Sequence, residues 1–514
     1  MDKRIIPAEK FRFVSMEGRT HDKKFETKPI GYFQDAWIRF KKNRASVAAS
    51  IIIIFIFIFS VLTPYIAPLG MADVDGIYGK TRPKLDILER SGFWDGGMVQ
   101  TVNNRNYTYY QAIGIGAESY SRVASWDEGS ASHYNPIIST SEMYESGGVE
   151  YWDVRVDSYY LVGFQYITLP SMERFNEIQA WEKETGLRVI YPMIDTRSRY
   201  ISQFSTQDAN FWYRHADNLA PLDANDRRMT GVEDVMRYGL VDNYLRDDEG
   251  NIMYYRISDM TMLNVRVLYY NYYQFLNGRV PTHVLGADTM GYDIWVRLAS
   301  GTLLSLMLAF SVSLINLTIG AYLGAIQGYY GRTIDLVLQR VTEIISNFPF
   351  IILYSLIAMH LVNTGKMNAF WGLIFAFVIS GWIGTSRLVR MQFYRFKNQE
   401  YILAARTLGA KDNRLMFRHI FPNAIGTIIT GSVLVIPSVI FSESTLSYLG
   451  IVNFDSLTTT SLGTMLANGR GILSTDPHVI AFPSAVISLL MISFNLFGNG
   501  LRDAFNPSLR GVEE

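Results

Sequence analysis

The sequence predicts an all-α polytopic membrane protein of six transmembrane helices, with an α+β domain inserted between helices 1 and 2 on the extracytoplasmic side. Three observations carry that reading. Apolar residues are gathered into long blocks separated by polar chain. The charge sums to zero from 47 basic and 47 acidic residues, yet residues 71–290 hold 20 Lys/Arg against 30 Asp/Glu, so this stretch carries −10 and the remainder +10. The same acidic stretch holds 22 of the 32 tyrosines. Zero net charge leaves no electrostatic footprint for nucleic acid. The absence of cysteine excludes disulfides, thiolate zinc sites, iron–sulfur clusters and a cysteine nucleophile.

Residues 1–44 read as a cytoplasmic N-terminal segment. Trp37 and Phe40 beside Arg39, Lys41, Lys42 and Arg44 suggest a short interfacial helix leading into the membrane. Residues 45–68 are charge-free and long enough to cross a ~30 Å hydrocarbon core; a signal peptide would be shorter and nearer the N-terminus. The cations before this block place the N-terminus in the cytoplasm.

Residues 82–281 form the inserted domain. Its tyrosines, with Trp94, Trp126, Trp152, Trp181 and Trp212, can bury a core, which argues for a folded unit over a disordered insert. Residues 151–160 alternate like a half-buried strand. Residues 171–185 have helical spacing, with Ser171 as cap and Gly186 as stop. Residues 247–251 read as a hairpin turn. The run Asp223-Ala224-Asn225-Asp226 lacks the full EF-hand pattern and reads as an Asx turn rather than a calcium loop. His133, His215 and His283 lack metal-ligand spacing, and no G-x-S-x-G elbow is present.

Residues 282–500 hold five further spans, at about 298–327, 336–361, 370–391, 424–449 and 479–497, and residues 501–514 form a cytoplasmic tail. Six crossings put both termini inside, with 328–335 and 392–423 as inner connections and 362–369 and 450–478 as outer ones. Residues 387–418 carry eight basic and two acidic side chains, as an inside loop should. Gly320, Gly324 and Gly431 allow close helix approach. Pro349 and Pro437 break backbone hydrogen bonds, which a neighbouring helix or wet cavity must satisfy. Asn316, Glu343, Ser346, Asn347, Glu443 and Asn495 are expensive against lipid, so they are expected to face the bundle or a water-filled path; helix–helix hydrogen bonding is their plainer role.

Within 392–423, the run Gln399-Glu400-Tyr401-Ile402-Leu403-Ala404-Ala405-Arg406-Thr407-Leu408-Gly409-Ala410 reads as a short helix with a small face at Ala404 and Ala405, stopped by Gly409. A second amphipathic stretch with Arg414 follows, and Pro422 opens the next membrane helix. Such a helix suits docking in another protein's cleft, or serves as an ordinary connector.

This loop resembles the cytoplasmic "EAA" loop of ABC-importer permeases, and more narrowly the C-type transmembrane subunit of the dipeptide/oligopeptide/nickel family. His283-Val284-Leu285-Gly286-Ala287-Asp288-Thr289-Met290-Gly291-Tyr292-Asp293 resembles that family's HPLGTDxxGRD segment. Ser442 to Gly450 resembles its ESFLSFLG motif. Ser461-Leu462-Gly463, Met465-Leu466 and the run from Phe494 to Pro507 resemble its C-terminus. The resemblance covers about 30–75 and 281–511. Leu403 stands where the motif's Glu is common, with Glu400 one turn away; Ala287, Tyr292 and Asn499 are further departures.

The resemblance implies a non-catalytic permease subunit in the bacterial plasma membrane, which with a second, B-type permease subunit forms the translocation pathway. It implies two ATPase partners that hold ATP and Mg, and an extracytoplasmic substrate-binding lipoprotein that delivers peptide; this chain binds no cofactor or metal itself. On the chain, Ala404, Ala405 and Gly409 correspond to the docking face, with Glu400 nearby and Arg406 and Arg414 at its rim. No G-x-x-x-x-G-K-[ST] phosphate loop occurs in the chain. Nickel and sugars are alternative cargoes. A membrane-anchored receptor or sensor, with the outer domain as its working part, is the alternative in kind.

Overall fold

The computed structural model describes residues 31–118, 133–200, 209–216, 220–229, 232–259 and 261–505; Trp126 and most of the two terminal segments lie outside them. Two helices open the described chain. The first, α1 (Tyr32–Lys42), buries Ala36 and Phe40 against Ala504, leaving Trp37 stacked on Phe40 and half exposed. The second, α2 (Arg44–Ile66), starts where the Asn43 side chain accepts the Ser46 N–H at 3.2 Å.

The inserted unit is built on two four-stranded antiparallel sheets. The first contains β1 (Gly97–Asn103), β2 (Ile137–Thr140), β3 (Tyr144–Ser146) and β4 (Val149–Asp157), with α3 (Asn104–Glu118) following β1. β4 is central, between β1 on one side and β2 and β3 on the other. Its alternation buries Val154 and Val156. The strand ends at Asp157, earlier than the pattern suggests, because Tyr159 and Tyr160 turn into a cluster with Tyr78, Tyr269, Tyr270 and Tyr273.

The second sheet contains β5 (Phe164–Leu169), β6 (Ile190–Tyr191), β7 (Tyr255–Asp259) and β8 (Met262–Leu268). Between β5 and β6 lies α4 (Met172–Thr185). Ser171 caps it by accepting the Arg174 N–H, and Gly186 ends it at φ +74°. Two short helices, α5 (Val232–Tyr238) and α6 (Tyr269–Asn277), complete the unit. Asp223 accepts the N–H groups of Asn225 and Arg227, both at 2.8 Å, an Asx turn. Residues 247–251 make a turn whose flanks meet only at the Arg246–Ile252 bridge, without extended strands.

The ends of the insertion are tied together. Residues 74–84 run antiparallel to 283–293: Lys84 donates to the His283 carbonyl, Ala287 to Thr81, Lys80 to Asp288 and Asp75 to Gly291, at 2.8–3.2 Å. Gly291 sits at φ +89° with its α-carbon against the Asp75 carbonyl, where a Cβ has no room.

The remaining chain is a helical bundle: α7 (Ile294–Tyr330), α8 (Arg332–Ser346), α9 (Phe350–Ile357), α10 (Ala369–Phe396), α11 (Glu400–Thr407), α12 (Asp412–Tyr448, irregular at Leu434), α13 (Leu462–Gly469) and α14 (His478–Phe505). Among the described residues five helices (α2, α7, α10, α12 and α14) are long and apolar enough to cross a membrane, and a bent pair makes a sixth if it is one span. That pair covers the apolar block at 336–361, within which the sequence reading has Pro349 break backbone hydrogen bonds. The chain bends by 75° between α8 and the segment Phe350–Val362. The break falls at Pro349, which has no N–H to donate and whose ring excludes a straight helix. Pro422 stands in the first turn of the α-helical segment Phe421–Val433, as a helix-opening proline should. Within α12 a wider π-type turn over Leu415–Ile420 leads into the proline. The expected outer connection 450–478 contains α13, packed against α12 and α14.

Gly320, Gly324 and Gly328 form a stripe along α7, each facing α10 so closely that a Cβ would collide with Trp382, Ser386 or Arg390 backbone. With 37 residues, α7 is about 55 Å long and outreaches a ~30 Å hydrocarbon core. One large apolar core lies along α7, α9, α10 and α12; a second, around Tyr329, Phe393 and Leu415, lies at the end of the bundle that carries 392–423.

Candidate functional site

The second core is the foundation of the 392–423 loop. Helix α11 inserts one fully buried residue, Ile402, among Val389, Phe393, Leu415, Ile420 and Ala424. Its end is a Schellman motif: the Ala410 N–H reaches the Ala405 carbonyl at 3.1 Å and the Gly409 N–H reaches Arg406 at 3.0 Å, with Gly409 at φ +84°. Arg406 donates to the Tyr329 hydroxyl at 3.3 Å, and that hydroxyl donates to Asp412 at 2.5 Å, tying α11 to α7 and α12.

This anchoring sorts the candidate loop residues by direction. Ala405 and Ala410 pack on the buried cluster, whereas Glu400, Ala404, Gly409 and Arg414 are exposed. Tyr401, Leu403 and Leu408 are also exposed; Leu408, at 88%, stands almost free at the tip. Ala404 and Ala405 therefore do not share one outward face. The outer surface of α11 is larger and more apolar than a two-alanine patch.

The polar residues of the apolar blocks divide in the same way. Glu443 is fully buried and accepts hydrogen bonds from Ser305 (3.1 Å), Ser447 (3.0 Å), Ser461 (2.6 Å) and Ser444 (3.4 Å), linking α7, α12 and α13. Asn316 is buried where α7 meets Gly381 of α10. These two belong to the bundle interior. Glu343, Ser346 and Asn347 lie on the uncovered surface of α8, where Glu343 pairs with Arg340 at 2.6 Å. Asn495 is exposed on α14, its amide donating to the Met491 carbonyl. Of the two settings expected for such residues, bundle interior or water-filled path, the last four do not take the first within this chain.

Two charged clusters escaped the sequence reading. Arg297 is nearly fully buried, paired with Asp455 and lying 4.1 Å over the Tyr292 ring. It is the only charge in the 294–330 helix, a signal the block boundary at 298 excluded. Tyr292, one of the departures noted above, thus supplies the ring on which that guanidinium rests. At the other end of α7, Asp335 holds Arg390 through two bonds of 2.6 and 2.7 Å and accepts the Tyr394 hydroxyl at 2.7 Å, fastening α8 to α10. Neither cluster contains a nucleophile–base pair. Among the described residues no group of three or more His, Asp or Glu side chains could hold a metal ion.

Comparison with known proteins meets this geometry. Residues 316–511 match the family described as the binding-protein-dependent transport system inner membrane component, and residues 31–80 match the N-terminal transmembrane domain of oligopeptide transport permease C. The oligopeptide transport system permease protein OppC of Bacillus subtilis is 39% identical over 228 residues, covering 44% of this chain and 72% of that protein. The dipeptide transport system permease protein DppC of the same organism is 37% identical over 229 residues, covering 44% and 69%. OppC of Haemophilus influenzae is 36% identical over 229 residues, covering 44% and 71%. The broken helix pair, the anchored loop and the motifs from Ser442 onward fall within 316–511, and the chain belongs to the ABC-importer permeases of binding-protein-dependent transport systems, in the C-type branch of their peptide family.

Proposed function

We propose that this chain forms half of a peptide translocation pathway and passes the movement of two cytoplasmic ATPases to it through α11. A B-type permease subunit supplies the other half, and a substrate-binding lipoprotein delivers cargo at the outer face. Nucleotide chemistry belongs to the ATPases, because this chain carries no phosphate loop. The eight-to-two excess of basic residues over 387–418 supports a cytoplasmic loop end, which puts the inserted domain outside. Peptide cargo follows from the relatives' names, oligopeptide and dipeptide transport permeases.

The observation that carries the reading is the mounting of α11. Its outer face offers Tyr401, Ala404 and Leu408, while Ile402 and the Arg406–Tyr329–Asp412 chain fix its inner face to α7, α10 and α12. A push on the tip is therefore shared by three helices rather than absorbed by a slack loop. That is what a coupling free energy between nucleotide and cargo sites requires. The exposed Arg340–Glu343 pair, Ser346 and Asn347 on α8 then lie on the path side, where a charged pair within an apolar segment is tolerated by water.

Reconstitution with the ATPases and binding lipoprotein tests this. Ala404→Trp should leave the subunit folded and cut ATP-driven peptide uptake by about tenfold or more, as the loss of one well-packed contact of ~1.4 kcal/mol would. Unchanged uptake would remove α11 as the coupling element.

A further inference from the structure

The sheet of β5, β6, β7 and β8 has two unlike faces. On one, Leu263, Val265 and Val267 of β8 are buried with Phe175 and Ile178 of α4. Alternation turns Asn264 and Arg266 to the other face, with Arg256 directly across from Asn264 and Tyr166 across from Arg266. Arg266 is buried there, donating to the Ala209 carbonyl at 2.6 Å and to Pro192 at 3.1 Å.

Over this polar face lies a cleft of about 490 Å³, with Met193 and Ile194 as its apolar wall and Arg256, Asn264, Gln165 and Thr196 as its polar one. Although the surrounding stretch is acidic by ten charges, no Asp or Glu among the described residues lines it. The Asn264 side-chain oxygen is buried without a hydrogen-bond partner. Arg256, its cross-strand neighbour, makes no hydrogen bond or ion pair among the described residues. A buried acceptor left unpaired is costly, and a free guanidinium beside it is a fork without a carboxylate.

The two needs are complementary and adjacent. One calls for a planar anion, the other for an N–H donor a few ångströms away. The last residue of a peptide presents both, its α-carboxylate and the peptide N–H that precedes it. We infer that this cleft binds the carboxyl-terminal residue of a short peptide, Arg256 taking the carboxylate and Asn264 the N–H. The volume suits a small ligand. The choice of a peptide over other amide-bearing acids rests on the reading of peptides as cargo.

The test uses the full chain in lipid nanodiscs, titrated calorimetrically with trialanine, trialanine amide and N-acetyl-trialanine. Trialanine and its N-acetyl form should bind saturably, and the amide about tenfold or more weaker, since a charge-assisted fork is lost. Arg256→Gln should weaken the free acid by the same factor and the amide no further. Asn264→Asp should weaken the free acid by repulsion. No saturable binding of trialanine, equal binding of the amide, or unchanged binding by Arg256→Gln would each overturn the assignment. Peptide uptake by the assembled importer separates the two readings. Uptake without cleft binding sinks this inference alone, whereas cleft binding by an importer that carries no peptide sinks the cargo and leaves the cleft standing.

Discussion

The bundle and the inserted unit bury their polar groups by opposite means. In the bundle, Glu443 sits among four serine hydroxyls and no cation, on helices brought together by a glycine stripe. In the insertion, Lys84 is 1% exposed, bonded to Asp157 at 2.8 Å and enclosed by the rings of Tyr159, Tyr160 and Tyr270 at 4.6–5.9 Å. One region removes side chains so that backbones meet, with a carboxyl shared by hydroxyl donors. The other fills its space with tyrosine and neutralises charge by pairing. On the topology proposed above, the difference follows from solvent. In lipid, association gains little from hiding apolar surface, so close backbone contact must do it; in water, burial of large rings supplies the drive.

The sharpest way to break this comparison is to remove the insertion's cation. Burial already pushes Asp157 up from its ordinary range, with Lys84 acting against that push. Lys84→Met should leave an unpaired buried carboxylate and cost about 3–5 kcal/mol. Adding Asp157→Asn, which keeps the acceptor for the Tyr159 N–H, should recover most of it. Denaturation of the detergent-solubilised chain reads both. A double variant no better than the single one would show that the tyrosine enclosure, not the pair, needs the lysine.

A second test lies at the junction of the two regions. Burial lowers His283 to about 4 and raises Asp293 to about 6. The signs oppose. The folded state keeps His283 neutral where the unfolded chain protonates it, so its contribution grows as pH rises from about 4 to about 6.5. The folded state keeps Asp293 protonated where the unfolded chain ionises it, so its contribution falls as pH rises from about 4 to about 6. Each is worth about 3 kcal/mol across its window, and together they nearly cancel. His283→Gln should therefore expose a stability that falls with pH, and Asp293→Asn one that rises, relative to the wild type. Slopes of the same sign in melting temperatures between pH 4 and 6.5 would refute the pairing.

How far the sequence carried the fold follows the same division. Long apolar blocks, Ser171, Gly186 and Gly409 act through local rules, and each ends or begins a helix where composition says it should. The bend at Pro349 was legible as a broken hydrogen bond but not as 75°, because direction is decided by packing on α10. The strand limit at Asp157 was not legible, since Tyr159 and Tyr160 are drawn out of β4 by partners as distant in the chain as Tyr78 on one side and Tyr269, Tyr270 and Tyr273 on the other. At the site, the helix and its stop could be read from the loop, but the inward turn of Ala405 could not. It depends on Ile402 meeting Phe393 and Leu415, a contact no local pattern announces. Arg297 was missed for a plainer reason: a lone charge at a span's edge looks like its boundary.

The smallest expected effect tests the bundle's side of the comparison with a single methyl group at two glycines. At Gly324 of α7 a Cβ would strike the Ser386 carbonyl and crowd Val389, so Gly324→Ala forces α7 and α10 apart. At Gly384 of α10 nothing lies within 4 Å of the added atom. Both positions are mid-helix, so alanine brings the same gain in helix propensity, up to about 1 kcal/mol. If backbone proximity holds the bundle, Gly324→Ala is destabilising by about 1–3 kcal/mol despite that gain, and Gly384→Ala is neutral or stabilising. Thermal stability of the two variants in detergent decides it, because propensity is common to both and only the α7–α10 contact differs. Equal behaviour would mean that α7 and α10 are held by their apolar side chains, as the sheets of the insertion are, and that the division between the two regions is one of composition rather than of mechanism.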